Sequence, residues 1–170
     1  MKKIVVVLSL LLVVFSAFTL KEYSKKEIDE ITNAIDYNSS LRPQILDAND
    51  VYETAFDGGG KINLHWKQDN IKKIYREIGT SYGRLSTIFY FDDNKIIKII
   101  EIEEDFEFDQ DMNIEYEKGV SEVFKEEIYV FDYENKSIQI LKTGKRKVSN
   151  QRSISEYYQV ANFILEKAKN

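Results

Sequence analysis

The sequence predicts an α+β domain with an N-terminal helix, a mainly antiparallel sheet of about six strands (a meander plus a hairpin), and a C-terminal helix packed on one face. Three observations support this fold class. Apolar residues recur at helical spacing near both ends of the chain, and they alternate with polar residues between those ends. Short Asp-, Asn- and Gly-containing turns separate the alternating runs, so consecutive strands must be antiparallel neighbours.

The first twenty residues have the pattern of a secretory signal peptide. Two lysines open the chain, an apolar run from Ile4 to Phe15 follows, and small residues stand at the possible cleavage sites Ser16 and Thr19. We therefore expect residues 1–20 to be a signal peptide and residues 21–170 to form one exported domain, periplasmic or secreted. Because neither site matches the small-residue cleavage pattern well, the open alternative is an uncleaved anchor in the inner membrane.

The two helices each begin with a capping box. Ser24 is followed by Glu27, and isoleucines at helical spacing then predict a helix from about Lys25 to Tyr37. The single proline of the chain, Pro43, follows the end of this helix. Near the C-terminus, a second capping box precedes an apolar stripe that predicts a helix over about Ile154 to Lys167.

Between the helices, six runs with a period of two predict strands. They are Ile62–Trp66, Ile71–Ile78, Leu85–Phe91, Lys95–Glu103, Glu122–Phe131 and Ser137–Leu141. The third run should place Phe89 and Phe91 on one face of the sheet and Tyr90 on the other. The Asp92-Asp93-Asn94 segment after it is expected to form a tight turn, since Asp and Asn tolerate positive φ.

Two of these turn-and-strand segments carry a resemblance to known proteins. Lys67–Ile74 (KQDNIKKI) and Ile88–Lys95 (IFYFDDNK) resemble segments of small exported bacterial envelope proteins of unknown function. Those proteins combine an N-terminal helix with an aromatic-rich antiparallel meander, so the resemblance implies a fold and export but no chemistry. Some of them look like lipoproteins, whereas this chain has no cysteine to carry a lipid.

Composition argues against general nucleic-acid binding. The chain has 29 acidic and 24 basic residues, and removal of the first twenty residues changes its net charge from −5 to −7. It therefore lacks the excess of positive charge that general nucleic-acid binding requires.

The chain contains no cysteine, so no disulfide can stabilise the exported domain and its core must do so. The 11 Tyr and 10 Phe are consistent with such a core. The expected partner is an unknown protein or small ligand of the envelope, with membrane contact only through an uncleaved N-terminal segment.

One acidic run is a candidate metal site. Carboxylates occupy every second position of this run: Asp105, Glu107, Asp109 and Asp111. On an extended strand they would share one face, where like charges repel and where Ca²⁺ or lysines would be favoured. The spacing does not match an EF-hand loop. The alternative is a solvated edge strand or loop whose charges block aggregation.

Other groups of residues point less specifically to a function. His65 is the only histidine, lies mid-strand, and belongs to no nucleophile motif. Aromatic residues such as Tyr75, Tyr90 and Tyr129 could form a binding surface on the sheet or pack in its core. A basic patch could contact an anionic surface, contact the chain's own acidic stretch from Glu101 to Glu117, or lie in solvent. The patch comprises Lys142, Lys145, Arg146, Lys147 and Arg152.

The sequence therefore favours a non-catalytic binding or interaction module of the envelope that uses the open face of its sheet. It names no catalytic residue and no cofactor. Two alternatives stay open: a carboxylate-dependent hydrolase whose acid pair cannot be identified, and an extracytoplasmic module stabilised by Ca²⁺ at the Asp105–Asp111 run. An exposed aromatic or apolar patch opposite the C-terminal helix would favour the binding function.

Overall fold

A computed structural model describes residues 22–111, 113–132, 135 and 137–169. The expected signal peptide, residues 1–20, lies outside the described residues, as does most of the turn expected between Phe131 and Ser137. Within these ranges, no helix is long and apolar enough to cross a membrane.

Three α-helices and seven strands make up the described chain. The helices are α1 (Lys25–Asp36), α2 (Ala48–Tyr52) and α3 (Ile154–Lys167), with a 3₁₀ turn at Tyr116–Lys118. The strands are β1 (Arg42–Asp47), β2 (Gly60–Lys67), β3 (Asn70–Thr80), β4 (Gly83–Asp92), β5 (Lys95–Phe106), β6 (Val120–Asp132) and β7 (Ser137–Gly144). Both predicted capping boxes are formed, at Ser24 with Glu27 and at Ser153 with Glu156.

The strands form one antiparallel meander in the order β1-β2-β3-β4-β5-β6-β7. The α+β class is confirmed, but the expected six strands were one too few. The missed strand is β1, which contains Pro43. Proline cannot donate to a sheet ladder, so it argues against a central strand, yet an edge strand tolerates it because one side of the strand has no partner. The five-residue α2, which begins after its N-cap Asp47, was not predicted either.

The turn between β4 and β5 follows the chemistry of its sequence. Asp93 and Asn94 have φ values of 47° and 61°. These are the left-handed conformations that a two-residue hairpin turn requires and that Asp and Asn tolerate. The turn fixes the register of β4 on β5. These two strands lie in the central part of the sheet.

Helices cover both faces of the sheet. On one face, α3 buries Tyr157, Ala161 and Ile164 in a core that includes Phe89 and Phe91 of β4. On the opposite face, α1 packs over a second core. The main buried members of that core are Ile28, Ile35, Tyr90, Ile97 and Tyr129. The predicted division of β4, with Phe89 and Phe91 on one face and Tyr90 on the other, is confirmed.

Candidate functional site

The face opposite α3 is only partly covered by α1. Residues directly opposite each other in neighbouring strands share a face, so the strand register divides this face into rows. One row runs from Lys73 through Tyr90 and Lys98 to Tyr129. Its two tyrosines are buried under α1.

Asp29 of α1 is fixed above this row by side chains of the sheet. Its Oδ1 accepts hydrogen bonds from Lys98 Nζ at 3.1 Å and from Tyr129 Oη at 2.8 Å. Lys25 Nζ donates to Oδ2 at 2.8 Å. Burial acts to raise the pKa of Asp29, but the bonds from Lys25, Tyr129 and Lys98 outweigh it and lower the pKa to about 2.

Asp36, two helical turns further along α1, is held in the same way. It accepts from Lys73 Nζ at 2.6 Å and from Tyr90 Oη at 2.9 Å. Burial and the bond to Asp36 raise the pKa of Tyr90. Tyr90 and Tyr129 thus anchor α1 on the sheet, and neither contributes to an exposed binding surface.

No other described helix covers the remaining part of this face, which we call the uncovered half-face. It carries charged and polar side chains together with half-buried apolar ones. Its members are Lys61, Tyr75, Glu77, Arg84, Ser86, Ile102, Glu104 and Phe106. The surface is therefore neither the continuous apolar patch that the sequence analysis considered nor a fully charged face.

A cleft of about 830 Å³ lies at the end of the uncovered half-face, beside the β3–β4 turn. Lys61, Glu77, Arg84 and Phe106 form part of its wall. Polar groups from three loops and strand ends complete it, and five glycines line it: Gly58, Gly60, Gly79, Gly83 and Gly119. Part of the cleft surface is therefore main chain that no side chain covers.

Two of these glycines are required by close backbone contact. A Cβ atom on Gly79 would lie 2.5 Å from backbone atoms of Gly58, and one on Gly58 would lie 2.8 Å from Gly79. The Gly79 N–H also donates to the Gly59 carbonyl at 2.8 Å. The segment before β2 is thereby fixed against the β3–β4 turn, so the cleft is built on a rigid frame.

Paired charges form the cleft wall. Arg84 makes a two-bond contact with Glu104, Nε to Oε2 at 2.6 Å and Nη2 to Oε1 at 2.8 Å. Its Nη1 lies 3.6 Å from Glu77 Oε2, and Lys61 Nζ lies 3.3 Å from Glu77 Oε1. The Tyr75 hydroxyl donates to Glu77. The bond to Glu104 raises the pKa of Arg84, so this guanidinium stays charged.

The candidate metal run does not form one strand face. Strand β5 ends at Phe106, so only Asp105 lies on a strand, and its Oδ2 is 2.6 Å from Lys147 Nζ. Asp109 accepts from the N–H groups of Asp111 and Asn113 in a turn, at 2.9 and 2.8 Å. Glu107 accepts from the Ser121 hydroxyl at 3.2 Å. Among the residues with described positions, no group of three or more His, Asp or Glu side chains could hold a metal ion.

Part of the basic patch contacts the chain's own acidic stretch, which was one of the three options that the sequence left open. Arg146 Nη1 lies 2.5 Å from Glu101 Oε1, and its Nη2 lies 2.9 Å from Glu126 Oε2. Both carboxylates are buried. The Tyr157 hydroxyl of α3 donates to Glu101. This network lies on the α3 face, away from the cleft.

Glu103 is the most enclosed carboxylate of that network. It is fully buried, and it accepts backbone N–H groups of Lys147 at 2.7 Å, Val148 at 3.2 Å and Ser149 at 3.0 Å. Burial acts to raise the pKa of Glu103, but these hydrogen bonds outweigh it and the pKa is lowered. The sequence left contact between the basic patch and the acidic stretch open, but it did not indicate that these carboxylates are buried. Glutamates at alternate positions of β5 together with arginines in a following loop are the signal that could have indicated it.

The single histidine lies on β2 opposite Lys73. Burial and the charge of Lys73 lower the pKa of His65. It does not line the cleft.

Comparison of the chain with protein-family models, with curated proteins and with solved structures gives no significant match.

Proposed function

We propose that this protein is a non-catalytic binding module that works outside the cytoplasm and receives a small polar ligand in the cleft on its uncovered half-face. The observation that carries the proposal is the cleft itself. Its volume of about 830 Å³ lies within the range of about 300–1,000 Å³ that small-molecule sites occupy. It sits on a rigid sheet, and side chains of both charges line it together with bare glycine backbone.

The wall chemistry favours binding over hydrolysis. A hydrolase of the carboxylate class needs one acid that holds a proton and one base that accepts it. In the cleft, Glu77 contacts Lys61 and Arg84, and Arg84 is held by a two-bond contact with Glu104 of the neighbouring strand. Carboxylates paired in this way serve as fixed acceptors for the hydrogen-bond donors of a ligand.

The lining also indicates the ligand class. Lys61 and Arg84 can interact with a carboxylate or hydroxyl, Asp57 and Glu77 can accept from an amine or hydroxyl, and Phe106 offers one apolar wall. A molecule with donors, acceptors and a short apolar part fits this set. Amino acids, short peptides and small sugars are the classes that meet this description.

A fragment screen monitored by NMR tests the proposal. The probe is a library of amino acids, di- and tripeptides, and mono- and disaccharides, added to the ¹⁵N-labelled protein. We expect amide shift changes to cluster at residues 57–61, 79–84 and 119–120, and binding to weaken in Lys61→Glu.

The matched control is Lys26→Glu, which reverses an exposed lysine on α1 that does not line the cleft. It should bind the same fragments as the unchanged protein. Shift changes that cluster elsewhere, or a Lys61→Glu variant that binds as well as the control, would contradict the proposal.

A further inference from the structure

The two edges of the sheet differ in how they are protected. Strand β1 is six residues long, contains Pro43, and has charged residues at both ends, Arg42 and Asp47. Proline, short length and charge are the devices that prevent an edge from pairing with another strand. Strand β7 is eight residues long and contains no proline. Its sequence, SIQILKTG, has one charge, and this edge is therefore open to pairing.

The side chains of β7 extend the core outward. Ile138, Ile140 and Leu141 are 37%, 43% and 40% exposed. Ile138 and Ile140 lie directly opposite Val130 and Ile128 of β6, both of which are buried. The apolar surface of the core thus continues to the edge of the sheet, where one further strand would cover it.

The single charge on β7 does not protect the edge. Lys142 Nζ is 2.8 Å from Oε1 of the buried Glu126 on the neighbouring strand. The ammonium is thereby directed over the sheet face. In edges that resist pairing, by contrast, lysine presents its charge to an approaching strand.

We propose that β7 pairs antiparallel with β7 of a second copy of this chain, across a two-fold axis at Ile140. The unsatisfied main-chain groups of an edge require an extended strand as partner. In this register Ile140 lies opposite its own counterpart, Gln139 lies opposite Leu141, and the stem of Lys142 covers Ile138. No like charges are directly opposite each other, and an isologous contact of this kind closes as a dimer.

Charge complementarity supports the same arrangement. At the far end of the β6–β7 hairpin, Glu126 matches the charge of Lys142, and the chain continues into Lys145. The turn end carries Asp132, and the sequence between the strands adds one acidic and one basic residue, Glu134 and Lys136, whose charges cancel. Antiparallel pairing places the basic end of one copy beside the acidic end of the other. A parallel pairing would place like ends together, which is unfavourable.

The absence of cysteine from the chain gives a sharp test by disulfide trapping. An Ile140→Cys variant carries one thiol, and directly opposed residues in an antiparallel pair have Cβ atoms about 4.5–5.5 Å apart, close to the reach of a disulfide. With oxidised glutathione as oxidant, we expect Ile140→Cys to form a covalent dimer. Ile138→Cys should not, because its counterpart would lie about 14 Å away along the strands.

The matched control on the protected edge is Ile45→Cys, which lies on β1 and is 72% exposed. If Ile140→Cys crosslinks no faster than Ile45→Cys or Ile138→Cys, the proposed register is wrong.

Sedimentation velocity on charge variants distinguishes self-pairing from pairing with another protein. Ile140→Lys and Ile140→Asp should each weaken the dimer by about tenfold, because like charges then face each other. An equal mixture of the two variants should dimerise again. Ile45→Lys should sediment as the unchanged protein does. The proposal is overturned if the protein stays monomeric at every concentration or if the mixture of the two variants does not dimerise. Binding of β7 to a strand of a different protein, without self-association, would also overturn it.

Discussion

The carboxylate of Glu103 offers the sharpest test of how the domain is held together. It accepts three backbone N–H groups of the segment that precedes α3, and the Ser149 hydroxyl donates to it as well. Glu103→Gln keeps the size of the side chain but replaces one acceptor oxygen with a donor NH₂, which must then face N–H groups. About two charge-assisted hydrogen bonds are lost, each contributing about 1.5–3 kcal/mol, and the relieved burial of a charge offsets part of this.

The expected net destabilisation is about 2–4 kcal/mol, or a fall in Tm of about 10 °C for a chain of this size. Urea unfolding followed by tryptophan fluorescence measures it, because Trp66 is the only tryptophan and packs against the core beside α3. The matched control is Glu104→Gln. That neighbouring residue points to the opposite face and pairs with a partly exposed Arg84, so it should cost about 0–1 kcal/mol.

Comparison of the two variants shows whether the buried carboxylate stabilises the fold. If Glu103→Gln lowers the free energy of unfolding by no more than Glu104→Gln does, the buried carboxylate does not hold the segment over β5. A lower urea midpoint with an unchanged m-value would show that stability changed while the denatured state did not.

Asp29, Tyr157 and the acidic run at Asp105 can each be tested by unfolding measurements. The pKa of Asp29 is lowered from 3.8 to about 2. Its stabilising contribution is therefore present above its unfolded pKa and is lost as the pH falls toward 2. In this pH range the urea midpoint of Asp29→Asn should depend less on pH than that of the unchanged protein, and an equal dependence would contradict this. Tyr157→Phe removes the hydroxyl that donates to the buried Glu101 and should cost about 1–3 kcal/mol by urea unfolding, whereas an unchanged midpoint would show that the bond is not needed. Calcium should leave Tm unchanged in calorimetry because Asp105 is paired with Lys147, and a rise of several degrees would support a calcium site instead.

The helices and central strands could be predicted because their local signals agree with the fold. The capping boxes at Ser24 and Ser153 fix where α1 and α3 begin, and period-two alternation marks β2 to β7. The β4–β5 turn was predictable for the same reason, since Asp93 and Asn94 suit positive φ. In these segments local propensity and tertiary packing favour the same conformation.

Other features depend on contacts between residues far apart in sequence. Pro43 indicates the absence of regular secondary structure when only the sequence is considered. Its position on an edge strand is what makes it compatible with a β-strand. No local pattern marks Glu101 and Glu103 as buried carboxylates, yet Arg146 and a loop backbone enclose them. The position of α1 over Tyr90 likewise depends on Asp36, and no local pattern indicates that pairing.

The cleft was least accessible from sequence because five separate segments contribute to it. Lys61, Gly79, Arg84, Phe106 and Gly119 come from different strands and loops that the meander brings together. None of them belongs to a recognisable motif. The sequence therefore indicated the face of the sheet opposite the C-terminal helix, but it did not indicate which part of that face α1 leaves uncovered.

A crystal structure of the protein soaked with the fragments that bind in solution tests the central claim most directly. The cleft predicts a fragment seated between Lys61 and Phe106, with polar atoms within hydrogen-bond distance of Glu77 or Arg84 and an unchanged backbone at Gly58 and Gly79. Fragments that occupy any other surface while the cleft holds only solvent would contradict the claim that the uncovered half-face is the binding site.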